Sequence, residues 1–157
     1  MAGHDRLTPE GKKFYAQIDK LAENEVFIGF QHGKKKHRPK GEGGKEVDMA
    51  DIAMFNELGT STSPPRPFLR MTVDENKDKI NAFVEAETAK IADGGSADTA
   101  LKKMGAFGVR LVQDKIGSGT FEPNAPSTKK AKGSDHPLID TGQMRQSVHY
   151  VVKKKGE

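Results

Sequence analysis

The sequence predicts an α+β fold: a small antiparallel sheet packed against several helices, including a helical hairpin, with long exposed loops. Three observations carry this reading. Two short runs of alternating apolar residues, near 25–31 and 147–153, stand at opposite ends of the chain and are expected to meet in one sheet. Between them, apolar residues recur at helical spacing in segments with start and stop signals. Two stretches, 32–46 and 118–136, are dominated by Lys, Gly, Ser, Thr and Pro and read as loops. At 157 residues the chain suits one domain, 1–157, with a flexible basic loop at 32–46, a second at 118–136 and a frayed tail at 153–157.

Each element has a local reason. Thr8-Pro9-Glu10 opens a helix, with Thr8 as N-cap, Pro9 in the first turn and Glu10 near the positive end. Phe14, Ile18 and Leu21 share its apolar face through about Asn24. Val26, Ile28 and Phe30 then alternate as one face of a strand. After the basic loop, Asp48 caps a helix that ends at Gly59, with Met49, Ile52, Ala53 and Phe55 as its apolar contacts. A further helix is expected from Asp74 to about Ala92, using Ile80, Phe83, Val84 and Ile91, with Asp93-Gly94-Gly95 as its end. Ser96 and Asp98 start its hairpin partner, in which Leu101, Met104, Gly108, Leu111, Val112 and Lys115 share a face and Gly117 terminates. Gly105 and Gly108 inside that helix each cost about 1 kcal/mol against Ala and call for a close neighbour. Asp140 and Gln143 have the spacing of a capping box ahead of the last strand, where Val148, Tyr150 and Val152 alternate.

Composition narrows the function classes. The chain has no cysteine, which excludes disulfides and Cys-based zinc sites and fits a reducing compartment. No apolar run approaches the ~20 residues that cross a bilayer, so no membrane partner is expected. The formal charge of +4 permits a polyanionic partner without requiring one. Gly29 to Lys35 imitates a phosphate-binding loop, but its glycines are one residue too close and no Ser or Thr follows the lysine. His32 and His37 flank three lysines, an unfavourable setting for a dication. His149 reads as a surface or edge position. The carboxylates read as solvated helix faces with neighbours of opposite sign, such as Glu75 with Lys79. No catalytic, metal-binding or cofactor-binding residues are assigned, and no enzyme is expected. The strongest charge cluster is Lys34, Lys35, Lys36, Arg38, Lys40 and Lys45, which can neutralise phosphates without reading sequence or face an acidic partner.

The most distinctive stretch runs from Phe55-Asn56-Glu57-Leu58-Gly59-Thr60 to Pro64-Pro65-Arg66-Pro67-Phe68-Leu69. The prolines restrict the backbone on both sides of Arg66, and Phe68-Leu69 supply an apolar anchor. Arg66 thus becomes a positioned donor fork, with Glu57 and Asp140 as candidate acceptors.

In chain order, Asp51-Ile52-Ala53, Asn56-Glu57-Leu58-Gly59-Thr60, Pro65-Arg66-Pro67-Phe68-Leu69 and Pro137-Leu138-Ile139-Asp140-Thr141-Gly142 precede a final strand. Over roughly residues 25–153 this order resembles the virion-morphogenesis proteins of tailed bacteriophages, the tail-completion or neck proteins of the head–tail junction. The resemblance implies a small structural subunit without catalytic activity or cofactor, made in the host bacterial cytoplasm and carried in the virion. It implies a homo-oligomer, a hexameric or larger ring, joined to other head-completion and tail-terminator proteins, with packaged DNA as a possible contact of the basic loop. On this basis Asn56, Glu57, Gly59, Thr60, Arg66, Pro67, Phe68, Asp140, Thr141 and Gly142 are motif or interface residues. The competing expectation is a sequence-independent nucleic-acid-binding module that uses the basic loop.

Overall fold

A computed structural model describes residues 6–34, 36–37, 46–118 and 142–157. The element order is α1 (Pro9–Ala22), β1 (Asn24–Gly29), β2 (Lys36–His37), β3 (Val47–Asp48), α2 (Met49–Leu58), α3 (Phe68–Glu75), α4 (Lys77–Ala92), α5 (Ala97–Gly117), α6 (Gln143–Ser147) and β4 (His149–Lys154). The fold is α+β, as the sequence predicts. β1 pairs with β4. The N–H of Lys155, just past β4, donates to the carbonyl of Glu23, just before β1, which sets the strands antiparallel. Contacts group the chain into two compact units: Met1–Phe27 with Lys77–Gly108 and Tyr150–Glu157, and Ile28–Asn76 with Val109–His149.

In the first unit, α1 starts as its sequence dictates: the Thr8 side chain accepts from the Gly11 N–H at 3.1 Å. The α1 face reaches the start of α5, where the Gln17 side chain accepts from the Ala97 N–H at 2.7 Å and Lys20 pairs with Asp98 at 2.8 Å. α4 and the early turns of α5 form the expected antiparallel hairpin. The Phe83 and Phe107 rings stack with centroids 4.1 Å apart, and Lys103 approaches Glu87 at 3.9 Å. The turn between them is a Schellman closure, with Gly94 at φ 92° and the Gly95 N–H donating to the Lys90 carbonyl. Glu87 is buried, and Lys90 donates to it at 2.6 Å, so the carboxylate does not stand alone in the interior. Gly105 has a concrete reason. The Tyr150 ring of β4 lies against it so closely that an added Cβ would sit 2.3 Å from the ring.

The second unit holds a core of Met49 and Ala53 from α2, Phe68 from α3, Val112 and Ile116 from α5, Met144 from α6, and Val148. Phe68 and Ile116 are fully buried. Removing a side chain the size of Phe68 from water is worth about 2–3 kcal/mol, and Phe30 meets it edge-on at 5.9 Å.

Several expectations need correction. Part of the 32–46 segment is ordered: β2 pairs antiparallel with β3, Lys36 opposite Asp48 and His37 opposite Val47. The helix expected from Asp74 is two helices, α3 and α4, divided at Asn76. Phe55 and Val84 are exposed rather than packed, because their helices bury other faces. Glu75 does not use Lys79; its carboxylate accepts from the buried Lys115 at 2.9 and 3.0 Å, since burial of a cation demands a close anion. α6 begins at Gln143 with Gly142 as its N-cap residue, at φ 75°, two positions later than the Asp140 cap expected from spacing. His149 is half-buried and begins β4, an edge strand of the two-stranded sheet, within the surface-or-edge expectation. Asp140, Thr141, Lys35, Arg38, Lys40, Lys45 and nearly all of the 118–136 loop lie outside the described residues.

Candidate functional site

The sequence motif from Asn56 to Phe68 forms one continuous local structure. Gly59 ends α2 at φ 75°, and its N–H closes on the Phe55 carbonyl at 2.9 Å. An added Cβ there would lie 2.8 Å from the backbone nitrogen of Pro65, so both the dihedral and the space require glycine. Thr60 and Ser63 exchange backbone hydrogen bonds at 2.9 and 3.4 Å, and the Thr60 hydroxyl accepts from the N–H of Thr62 and of Ser63. The chain then returns to α2: the Arg66 N–H donates to the Asn56 carbonyl at 2.6 Å. Pro67, at φ −78° and ψ 65°, is the centre of an inverse γ-turn closed by the Phe68 N–H on the Arg66 carbonyl at 2.8 Å. The expected stiffness is therefore real, but its source is a set of named hydrogen bonds as well as proline.

Glu57 has a role that spacing does not reveal. Its carboxylate reaches from α2 to the start of α3, accepting from the N–H groups of Leu69 at 2.8 Å and Arg70 at 3.1 Å. Pro67, the residue in the N-cap position, offers no side-chain acceptor. Two donors that the helix leaves open are satisfied by an anion at the positive end. Asn56 points its own amide back to the Ile52 carbonyl at 2.9 Å, so its backbone carbonyl, not its side chain, holds Arg66 in place.

The outer face of α2 is unusual. Seven of its ten residues are apolar: Met49, Ala50, Ile52, Ala53, Met54, Phe55 and Leu58. Only Met49 and Ala53 are buried, whereas Met54 is 48 %, Phe55 47 % and Leu58 71 % exposed. Positions 54, 55 and 58 fall on one side of a helix. Beside them opens a hollow of about 300 Å³ whose lining includes Phe30, Ala53, Met54, Leu58 and Leu69, with Glu57 as its one charged contributor among the described residues. Spacing alone assigns Met54 no role and counts Phe55 among the apolar contacts of α2. The available signal was an excess of apolar residues over what one face of a helix can bury.

The two described lysines of the basic cluster, Lys34 and Lys36, differ in setting. Lys36 lies 3.7 Å from Glu46, both exposed. Lys34 borders a second hollow, described below. Next to them Asp48 caps α2, accepting from the Ala50 N–H at 2.9 Å, and also accepts from the Gly33 N–H. These two hydrogen bonds hold its carboxyl below the ordinary carboxylate range, with the nearby His32 and Lys36 adding to the effect. His32 faces acids, 3.8 Å from Asp48 and 3.7 Å from Asp51. Among the described residues no group of three or more His, Cys, Asp or Glu is placed to hold a metal ion. No described helix is long and apolar enough to cross a membrane.

Compared with protein-family models, with curated proteins and with solved structures, the chain matches none.

Proposed function

We propose that this protein is a structural assembly subunit: a tail-completion or neck protein of a tailed-phage virion that multimerises as a ring at the head–tail junction. The observation that supports this most directly is the exposed apolar face of Met54, Phe55 and Leu58, set beside the hydrogen-bonded segment from Gly59 to Phe68. A large apolar face on a rigid support orders little further when a neighbour covers it, which lowers the entropic cost of association. Magnitude favours a closed multimer over a simple pair. Covering three side chains that are roughly half exposed contributes on the order of 1 kcal/mol each. Association costs at least about 4 kcal/mol. A ring holds every subunit on two sides by head-to-tail contacts and so compensates for a modest single contact.

Native mass spectrometry with negative-stain imaging tests the reading. The wild-type protein is expected to form closed multimers, and Leu58→Asp to shift them to monomer without loss of helix content. A phage carrying the same substitution should release filled heads and separate tails. A wild-type monomer that binds DNA irrespective of sequence, with affinity falling steeply in salt, would replace this reading with the nucleic-acid-binding one.

A further inference from the structure

The second hollow has a composition that the assembly reading does not use. It is a half-open hollow of about 180 Å³, with Phe30 and Met49 as apolar lining and Gln31, Lys34, Gln146, Ser147 and His149 as the other contributors. Two of these polar groups are already engaged. The Ser147 hydroxyl donates to the Gln143 carbonyl at 2.6 Å, and the His149 Nδ1–H is turned to the Ser147 carbonyl at 3.3 Å. The side chains of Gln31, Lys34 and Gln146 have no hydrogen-bond or ion-pair partner among the described residues. Among the described residues the lining contains a cation and no carboxylate. The carboxylate next in sequence to Met49, that of Asp48, already accepts from the N–H groups of Gly33 and Ala50.

We propose that this hollow binds a carboxylate with a short apolar body. The apolar lining takes the body, and the Lys34 ammonium with the Gln31 and Gln146 amides takes the anion, a set of charge-assisted hydrogen bonds. A bare inorganic anion would leave Phe30 and Met49 uncovered, and a neutral apolar ligand would make no use of the three exposed donors. Size limits the ligand further, because drug-sized ligands occupy roughly 300–1,000 Å³ and this space is smaller. It suits a short-chain acid, or the terminal residue of a polypeptide with its free carboxylate. The chemistry is the same in both.

The test is an amide-resolved NMR titration of the full-length protein with hexanoate, with hexanamide as the neutral counterpart. Hexanoate is expected to shift the amides of Gln31, Lys34, Met49 and Gln146 saturably, and hexanamide to bind about tenfold more weakly or worse. Lys34→Gln should weaken hexanoate by a similar factor, and Gln146→Ala by less. Lys36→Gln, which removes the same charge from outside the hollow, should change affinity less than about twofold. A pentapeptide ending in Leu, with a free or an amidated terminus, separates the two sources. Tighter binding of the free-acid peptide than of hexanoate assigns the hollow to a chain end, and weaker binding assigns it to a small acid. Absence of saturation at millimolar hexanoate, equal binding of hexanamide, or equal loss in Lys36→Gln would overturn the proposal.

Discussion

The two neighbouring helices α2 and α3 begin in opposite ways. α2 is capped by its own preceding residue, Asp48, whose side chain accepts from Ala50 two positions on. α3 is capped by Glu57, which stands 12 positions before Leu69 and belongs to another helix. The first start is a local device, and any short peptide containing it can form it. The second exists only once the chain has turned through Gly59, the 60–63 turn and Pro67. α3 is thereby made conditional on α2, and the exposed face of α2 shares its rigidity with the segment that closes on it. The Glu57 cap thus joins the two helices into one unit.

That contrast can be broken from several directions. The largest effect is expected at Gly59→Ala, which forces a side chain into positive φ and against Pro65. A loss of about 2–4 kcal/mol in chemical denaturation is expected, and proteolysis should cut first between α2 and α3. Glu57→Ala should follow at about 1–3 kcal/mol, since it leaves two helix-terminal donors without their acceptor, and Glu57→Gln should retain part of that. Asp48→Ala should lower the melting temperature less than Glu57→Ala, because it releases one helix-terminal donor, the Ala50 N–H, against two for Glu57. Leu58→Asp is expected to stay within about 0.5 kcal/mol of wild type in stability, as an exposed substitution does, while abolishing the multimer. Equal destabilisation by Glu57→Ala and Asp48→Ala would show that the remote cap has no special weight.

Acid provides a finer probe of the local cap. The Asp48 carboxyl is held below its ordinary value of 3.8 by the Ala50 and Gly33 N–H groups. The folded protein therefore resists protonation at this site more than the unfolded chain does. The stabilisation is present above the unfolded value and is lost as pH falls through the folded one. Urea denaturation at a series of pH values below about 4 should show a steeper acid-side decline for wild type than for Asp48→Asn. Parallel declines would remove Asp48 from the account.

The same contrast explains what could be read from the residues alone. The Thr8 cap, the Asp48 cap on Ala50 and the Gly59 stop were legible because each is made within four positions. The Phe68 anchor was legible from its apolar character, although Phe30, which it meets, lies far back along the chain. The hairpin of α4 and α5 was legible because its turn carries two glycines and its helices keep an apolar period. The Glu57 cap, the Lys115–Glu75 pair and the β2–β3 pairing depend on residues far along the chain, and no spacing rule reaches them. Phe55 and Val84 were misplaced for a related reason. Helical periodicity identifies a face but not which face the rest of the molecule covers. At the candidate interface, the motif residues from Asn56 to Phe68 were identifiable, whereas the apolar face beside them needed the burial pattern of α2.

The close approach of Tyr150 to Gly105 has a practical consequence. The chain has no tryptophan and two tyrosines. Tyr15 is 42 % exposed, whereas the Tyr150 ring is pressed onto the backbone of α5. The tyrosine band of the near-ultraviolet dichroism is therefore expected to weigh Tyr150 more heavily than Tyr15. That band reports, without any label, on the docking of β4 on α5, and Tyr150→Phe should weaken it while leaving the contact in place.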